Sequence, residues 1–216
     1  MNILIASATA FELPLIPAYL ENSGGNARHK MSQLVTGIGT AAATYNLTAT
    51  VVNKKPDLVI QAGIAGTYDP EFPPGELVAV NSEIFADLGA TENGGLRDLF
   101  DLQLADPDEA PFTSGRLVNN SVFPGEFPAL KKVPGATVNA ISSTPQKAEE
   151  IYRKYKVVVE SMEGAALHYV CLRQFIPFLQ IRAISNFAGE RDKSKWKMKE
   201  SIRLLNTKLI EILSSL

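Results

Sequence analysis

Cysteine and histidine are almost absent from this sequence. Its 216 residues include one cysteine, Cys171, and two histidines, His29 and His168. One thiol cannot form an internal disulfide or a Cys-rich zinc site, and two histidines are too few for a multi-histidine metal centre, so none of these is expected. A surplus of charge is absent too. The 21 Lys+Arg stand against 23 Asp+Glu, a formal net charge of −2. Nucleic acid is held largely through its phosphates and demands a basic footprint, which this balance does not supply. No apolar run approaches the ~20 residues that cross a bilayer. The first basic residue is Arg28, so no positively charged leader precedes the early apolar stretch. The expectation is a cytoplasmic protein with neither nucleic acid nor membrane among its partners.

What is present fits a globular enzyme-sized chain. Hydrophobic residues make up 45% and charged residues 20%, and the mean hydropathy is +0.02. A chain this long buries about 70% of its unfolded surface and needs no covalent staple. One domain over residues 1–216 is expected.

Short apolar runs read as buried strands: Ile3-Leu4-Ile5-Ala6, Gln33-Leu34-Val35-Thr36, Leu58-Val59-Ile60-Gln61-Ala62, Leu77-Val78-Ala79-Val80, Val138-Asn139-Ala140-Ile141, Val157-Val158-Val159 and residues 178–185. Helical patterns alternate with them. Residues 40–53 are rich in Ala and read as a helix, and residues 162–174 form a second helical stretch. Thr144 can cap a helix with Pro145 in its first position, running to about residue 155. Near the end Met198, Ile202, Leu205, Leu209 and Ile212 lie four, three, four and three apart, the signature of an amphipathic helix. Thr9 reads as a further N-cap, with Glu12 three positions on as in a capping box; Pro14 and Pro17 shorten that helix. Residues 85–118 hold no period and read as a long functional excursion. The alternation predicts an α/β fold whose central mixed, mainly parallel sheet is flanked by helices.

Several strand ends open into glycine-rich or polar loops: Ala6-Ser7-Ala8, Thr36-Gly37-Ile38-Gly39, Gly63-Ile64-Ala65-Gly66 and Ile184-Ser185-Asn186. Ligands of open α/β sheets bind beyond the carboxyl ends of the strands. Neither G-x-G-x-x-G nor a P-loop occurs, which disfavours dinucleotide and ATP chemistry. Glu160 and Glu163 bracket a strand-to-helix junction, and Glu163 has two readings. It either sits at the positive end of a helix or points into the crevice to hold sugar hydroxyls. Glu12 likewise reads as a partner of Thr9 and Asn186 as a loop asparagine. His168 and Cys171, three apart on one helix face, lack an orienting third group and read as packing residues. Residues 190–200 alternate in charge and read as a solvated approach to the last helix.

Taken in order, six segments resemble the purine nucleoside phosphorylase superfamily over nearly the whole chain. They are the first strand with Glu12, Thr36-Gly37-Ile38-Gly39, Ala62-Gly63-Ile64-Ala65-Gly66, Gly75-Glu76-Leu77-Val78, Glu160-Ser161-Met162-Glu163-Gly164-Ala165 and Arg182-Ala183-Ile184-Ser185-Asn186. Within the superfamily the chain is similar to the nucleosidase branch, which includes methylthioadenosine/S-adenosylhomocysteine nucleosidases. Its Ser-Met-Glu-Gly-Ala-Ala run and residues 184–192 are most similar to the futalosine hydrolase family. That resemblance implies hydrolysis of an N-ribosidic bond, releasing hypoxanthine from futalosine in the alternative menaquinone pathway. It implies that Glu12 orients and deprotonates water and that Glu163 holds the ribose hydroxyls with Met162 packed on the sugar. Asn186 would meet the imidazole side of the purine, with Ser185, Gly63, Ile64 and Gly66 completing the substrate site. Side chains meet every role, so no cofactor or metal is expected. Homo-oligomers, dimers above all, are implied as well.

Asn186 stands where the adenine-cleaving relatives carry aspartate. A carboxyl group suits adenine, whereas an amide donates to a six-position oxygen and accepts from a protonated ring nitrogen. A reversed edge that strands buried polar groups costs 10⁴-fold or more. Phosphorolysis needs cations around an oxyanion. The loop at residues 7–13 holds none, unless Arg28 or Arg116 folds in. Alternatives are a nucleosidase for another 5′-modified purine nucleoside, a 6-oxopurine phosphorylase and a non-catalytic nucleoside binder. Ser161 looks inserted relative to the adenine-cleaving pattern, and residues 139–144 do not align securely with the loop that frames the base. Futalosine's ketone-linked benzoate needs an apolar slot and a cation, for which Phe100, Phe112, Arg97 and Arg116 are candidates.

Overall fold

The computed structural model describes residues 1–23, 29–92, 95–121 and 130–216; Arg28 lies outside them. In chain order the elements are β1 (Asn2–Ser7), α1 (Ile16–Ser23), β2 (Lys30–Val35), α2 (Thr40–Lys54), β3 (Leu58–Thr67), β4 (Leu77–Glu83), β5 (Gly89–Glu92) and β6 (Gly95–Asp98). After them come β7 (Leu117–Val118), β8 (Lys131–Thr137), α3 (Pro145–Tyr155), β9 (Val159–Ser161), α4 (Gly164–Gln174), β10 (Phe178–Phe187), a 3-10 turn (Lys193–Lys195) and α5 (Met198–Ser215).

β1 lies between β2 and β3, parallel to both. β3 continues along a parallel β10, which pairs antiparallel with β4. β4 runs parallel to β8 and β8 to β9, and β9 returns antiparallel to β3 through Gly66↔Glu160. These pairings close a ring of β3, β10, β4, β8 and β9, with β1 and β2 as an open wing. The sheet is mixed and mainly parallel, as the alternation predicts. β5 and β6 form a separate hairpin inside the excursion.

Successive residues of a strand face opposite sides, and β1 uses both. Ile3 and Ile5 pack with Leu205, Leu209 and Ile212 of α5, the stripe read from its spacing. Leu4 and Ala6 pack with Leu47 and Val51 of α2 and with Leu167 and Cys171 of α4. His168 is packing too: its Nδ1 pairs with Leu117 O at 2.9 Å and its ring meets Phe178 edge-on. Among the described residues, no helix is long and apolar enough to cross a membrane.

Three expectations shift. The strand expected at Val138–Ile141 lies earlier, in β8, where Pro134 argues against a strand in the sequence. Proline fits because the β4–β8 register slips between Val80 and Ser82, opposite that position. β3 and β10 do not stop at their glycine and Ser-Asn motifs but run through them. The first helix begins at Ile16, although Glu12 does make the capping-box bond to Thr9. Thr144, by contrast, caps α3 as expected, its side chain accepting from Lys147 N at 3.2 Å.

Candidate active site

The parallel strands β1, β3 and β10 end along one side, and the loops beyond them meet the turn from β9 into α4. A cleft of about 270 Å³ opens there, lined by Glu12, Ile64, Gly66, Met162, Glu163, Ser185 and Asn186 among others. Seven of the eight residues singled out in the sequence thus share one cavity. Gly63 is the exception. It stands behind the cleft, where a Cβ would come 2.7 Å from Glu12 Oε1 and 2.5 Å from Arg182 Nη1. Its value is the space it leaves for those two side chains.

Glu12 is buried and fully tethered. Its Oε2 accepts from Thr9 N at 3.0 Å and Thr9 Oγ1 at 3.3 Å, and its Oε1 accepts from Ile64 N at 3.1 Å. A carboxylate offers about four lone-pair sites; three are taken and one stays open. Asn206 of α5 fixes the backbone beneath by donating to Glu12 O at 2.8 Å.

Glu163 is the N-cap residue of α4, yet its side chain does not cap that helix. It reaches across the cleft instead, where Gly39 N donates to Oε1 at 3.0 Å. Burial raises its pKa, opposed mainly by Arg182 and by the Gly39 N–H. Ser161, the inserted residue, takes over part of the capping: its Oγ accepts from Gly164 N at 3.3 Å.

Arg182 is a functional candidate that the sequence reading misses. It lies on the α4-facing side of β10, 1% exposed. Nη2 donates to Gln61 Oε1 at 2.8 Å, and Nη1 is 3.9 Å from Glu163 Oε2. A buried guanidinium persists only with counter-charge and hydrogen bonds. Both partners come from other elements, so local sequence carries no signal of the pairing. Glu160 is the second miss. It lines the cleft, accepting 2.5 Å bonds from Tyr68 Oη and Ser142 Oγ, and Ser142 N donates at 3.0 Å.

At the end of β10, Ser185 Oγ donates to Asn186 Oδ1 at 2.8 Å, and Asn186 Nδ2 donates to Phe187 O at 2.8 Å. One acceptor site and one N–H of the amide remain free. Among the described residues, no three His, Cys, Asp or Glu side chains gather as metal ligands.

The model of the Phosphorylase superfamily matches residues 17–216. A futalosine hydrolase of Thermus thermophilus is 35% identical over 175 residues, covering 80% of this chain and 76% of that protein. The chain belongs to the phosphorylase superfamily and, within it, to the futalosine hydrolase family. A 5'-methylthioadenosine/S-adenosylhomocysteine nucleosidase of Tolumonas auensis is more distant, at 26% identity over 81% of this chain and 76% of that protein. A solved futalosine hydrolase mutant of Helicobacter pylori shares the fold at a TM-score of 0.79 over 100% of both chains, with 17% identity.

For a futalosine hydrolase family member the excursion holds a correction. Phe100, Phe112 and Arg116 line a different cavity, one that shares no residue with the cleft. Arg97 pairs with Glu92 at 2.9 Å. None of the four therefore stands on the cleft wall. Most of residues 190–200 are exposed, as their alternating charge predicts, but Glu190, Arg191, Trp196 and Met198 line the cleft. So do Ile141 and Ser142, from the segment that resisted alignment.

Proposed function

We propose that this protein hydrolyses the N-ribosidic bond of futalosine and releases hypoxanthine. The observation that carries the reading is one cleft lined by two tethered carboxylates, Glu12 and Glu163, and by an amide with a free donor and acceptor, Asn186.

In this reading a water occupies the open lone-pair site of Glu12. As the bond from C1′ to the purine breaks, its electron pair passes to the base and the sugar gains oxocarbenium character. The water oxygen bonds to C1′ and its proton goes to Glu12. Glu163 accepts from the ribose hydroxyls, and its negative charge is worth more as the sugar turns cationic, which favours the transition state over the ground state. Arg182 and the Gly39 N–H favour the ionised form of that carboxyl and oppose the burial that raises its pKa. Asn186 accepts from the protonated imidazole nitrogen and donates to the six-position oxygen. It cannot supply the proton itself, so the base takes one from solvent.

Hydrolysis suits the cleft better than phosphorolysis because, among the described residues, Glu12, Glu160, Glu163 and Glu190 line it against one arginine, Arg191, and the excess of negative charge disfavours a phosphate dianion. The reading extends to a cytoplasmic enzyme of the alternative menaquinone pathway that works as a homodimer. The apolar side chains exposed on α2, Tyr45 and Val52, support an interface there.

The test is base release from futalosine and from methylthioadenosine, without phosphate and then with it. Hypoxanthine from futalosine under both conditions is expected. Adenine release at equal or greater efficiency overturns the role given to Asn186, and strict dependence on phosphate overturns hydrolysis.

A further inference from the structure

The charges around the cleft are unequal. Glu12, Glu160, Glu163 and Glu190 face it, and among the described residues Arg191 is the only cation in its lining. Three of the acids are satisfied by backbone, hydroxyl or buried guanidinium groups. The fourth, Glu190, is held by Lys195 at 2.7 Å. Arg191 has no carboxylate partner among the described residues, so its charge is uncommitted.

Its place is nonetheless fixed. The guanidinium carbon lies 5.8 Å from the centroid of the Trp196 ring, a cation–π arrangement. Trp196 is anchored in turn, Nε1 donating to Glu190 O at 3.1 Å. The loop between is pinned at both ends. Gly189 (φ +87°) packs so tightly that a Cβ would lie 2.7 Å from the Thr144 carbonyl. Lys197 N donates to Ser185 O at 2.8 Å, beside Asn186. Phe11, Ile38, Ile141 and Met198 line the same cleft, and Phe11 and Ile38 are 62% and 61% exposed. A cation stacked on an indole beside exposed apolar side chains suits a flat apolar group that ends in an anion.

We propose that Arg191, stacked on Trp196, is the specificity-determining cation that binds a carboxylate carried on an aromatic 5′ substituent of the nucleoside. This rests on the nucleosidase reading and moves the substituent's cation from the excursion at residues 85–118 to the loop after β10. A hydrogen-bonded charge of this kind is worth about ten- to a hundred-fold in binding.

The experiment compares kcat/KM for futalosine and for its methyl ester, which shares base, sugar and aromatic ring but lacks the charge. Wild type should favour the acid by tenfold or more. Arg191→Gln should collapse that ratio towards one, chiefly through KM of the acid, and Arg191→Glu should invert it. Arg191→Lys should retain part of the preference and lose it at high salt. An acid-to-ester ratio that stays at its wild-type value in Arg191→Gln overturns the proposal, whether both substrates suffer equally or neither does. Base release from neither nucleoside by wild type overturns the nucleosidase reading itself, which is a separate result.

Discussion

Two cavities of equal size, about 270 Å³ each, lie on this molecule and differ in what their polar groups have left to give. In the cavity of the excursion, charge is spent internally except at Arg116, which has a backbone carbonyl but, among the described residues, no carboxylate partner. Lys154 pairs with Asp98 at 3.2 Å and with Asp101, Tyr155 Oη donates to Asp98 Oδ2 at 3.0 Å, and Arg116 Nη2 donates to Tyr155 O. Phe100 and Phe112 pack edge-on at 5.3 Å. In the cleft at the ends of β1, β3 and β10, Glu12, Asn186 and Arg191 each keep unspent capacity. Volume does not separate a packing defect from a binding site; spare hydrogen bonds and charge do.

The sharpest way to break the comparison is to remove the proton acceptor. Glu12→Gln keeps the shape and an oxygen for Thr9 or Ile64 but cannot take a proton from water. Turnover should fall about 10³-fold, within the range for general bases, while nucleoside binding by calorimetry stays within severalfold. Turnover close to wild type would place the base elsewhere, and a protein that binds but never turned over would be a binder.

The next effect is on stability and lies beneath the cleft. Glu83 is fully buried, its Oε1 accepting from Gln180 Nε2 at 2.9 Å and its Oε2 from Thr137 Oγ1 at 3.0 Å. Burial outweighs these bonds and the nearby Arg182 and raises its pKa from 4.5 to about 7. The folded state thus holds a proton that the unfolded state releases above pH 4.5, so this contribution is full below 4.5 and is lost as pH rises to about 7. The loss is about 3 kcal/mol. His168 acts oppositely: burial depresses its pKa to about 4, so its contribution is lost as pH falls from 6.5. Comparing urea unfolding of wild type and Glu83→Gln at each pH cancels the histidine. The variant should gain on wild type as pH rises from 5 to 8; parallel curves would show that Glu83 ionises as readily folded as unfolded.

At the base end, Asn186→Asp places an ionised carboxylate against the Phe187 carbonyl and removes the N–H offered to a six-position oxygen. Hypoxanthine release should fall about 10²-fold, with a relative gain for adenine nucleosides. An unchanged preference would mean that the base is read by other groups of the cleft lining.

How much of this was legible in the sequence follows from where each partner lies. Glu12, Glu163, Met162 and Asn186 sit within a few residues of a strand end, so a strand-then-polar pattern finds them. The stripe of α5 and the cap of α3 are local as well. Arg182 needed Gln61 and Glu163, and Glu160 needed Tyr68 and Ser142; such pairings exist only after the ring of strands closes. Gly63 was counted as a wall because glycine after an apolar run reads as a loop, whereas β3 continues through it. β8 was hidden by Pro134, acceptable only at a register slip. Arg191 was discounted because alternating charge usually marks a solvated face, and Trp196 gave no periodic signal.

The smallest effect tests the other side of the comparison. Arg116 Nη1 is buried without a hydrogen-bond partner in the second cavity, and burial lowers its pKa. Arg116→Met keeps most of the apolar stem in a cavity that Phe100 and Phe112 also line, removes the orphaned donor and gives up one bond to Tyr155 O. These terms oppose each other, so stability should change by no more than about 1 kcal/mol. Because Arg116 does not line the cleft, kcat/KM for futalosine should stay within about twofold, whereas Arg191→Gln loses tenfold or more. A loss in Arg116→Met that matches the loss in Arg191→Gln, and that spares the methyl ester, would bring the second cavity into substrate recognition. The benzoate cation would then return to the excursion, and spare capacity would no longer distinguish the two cavities.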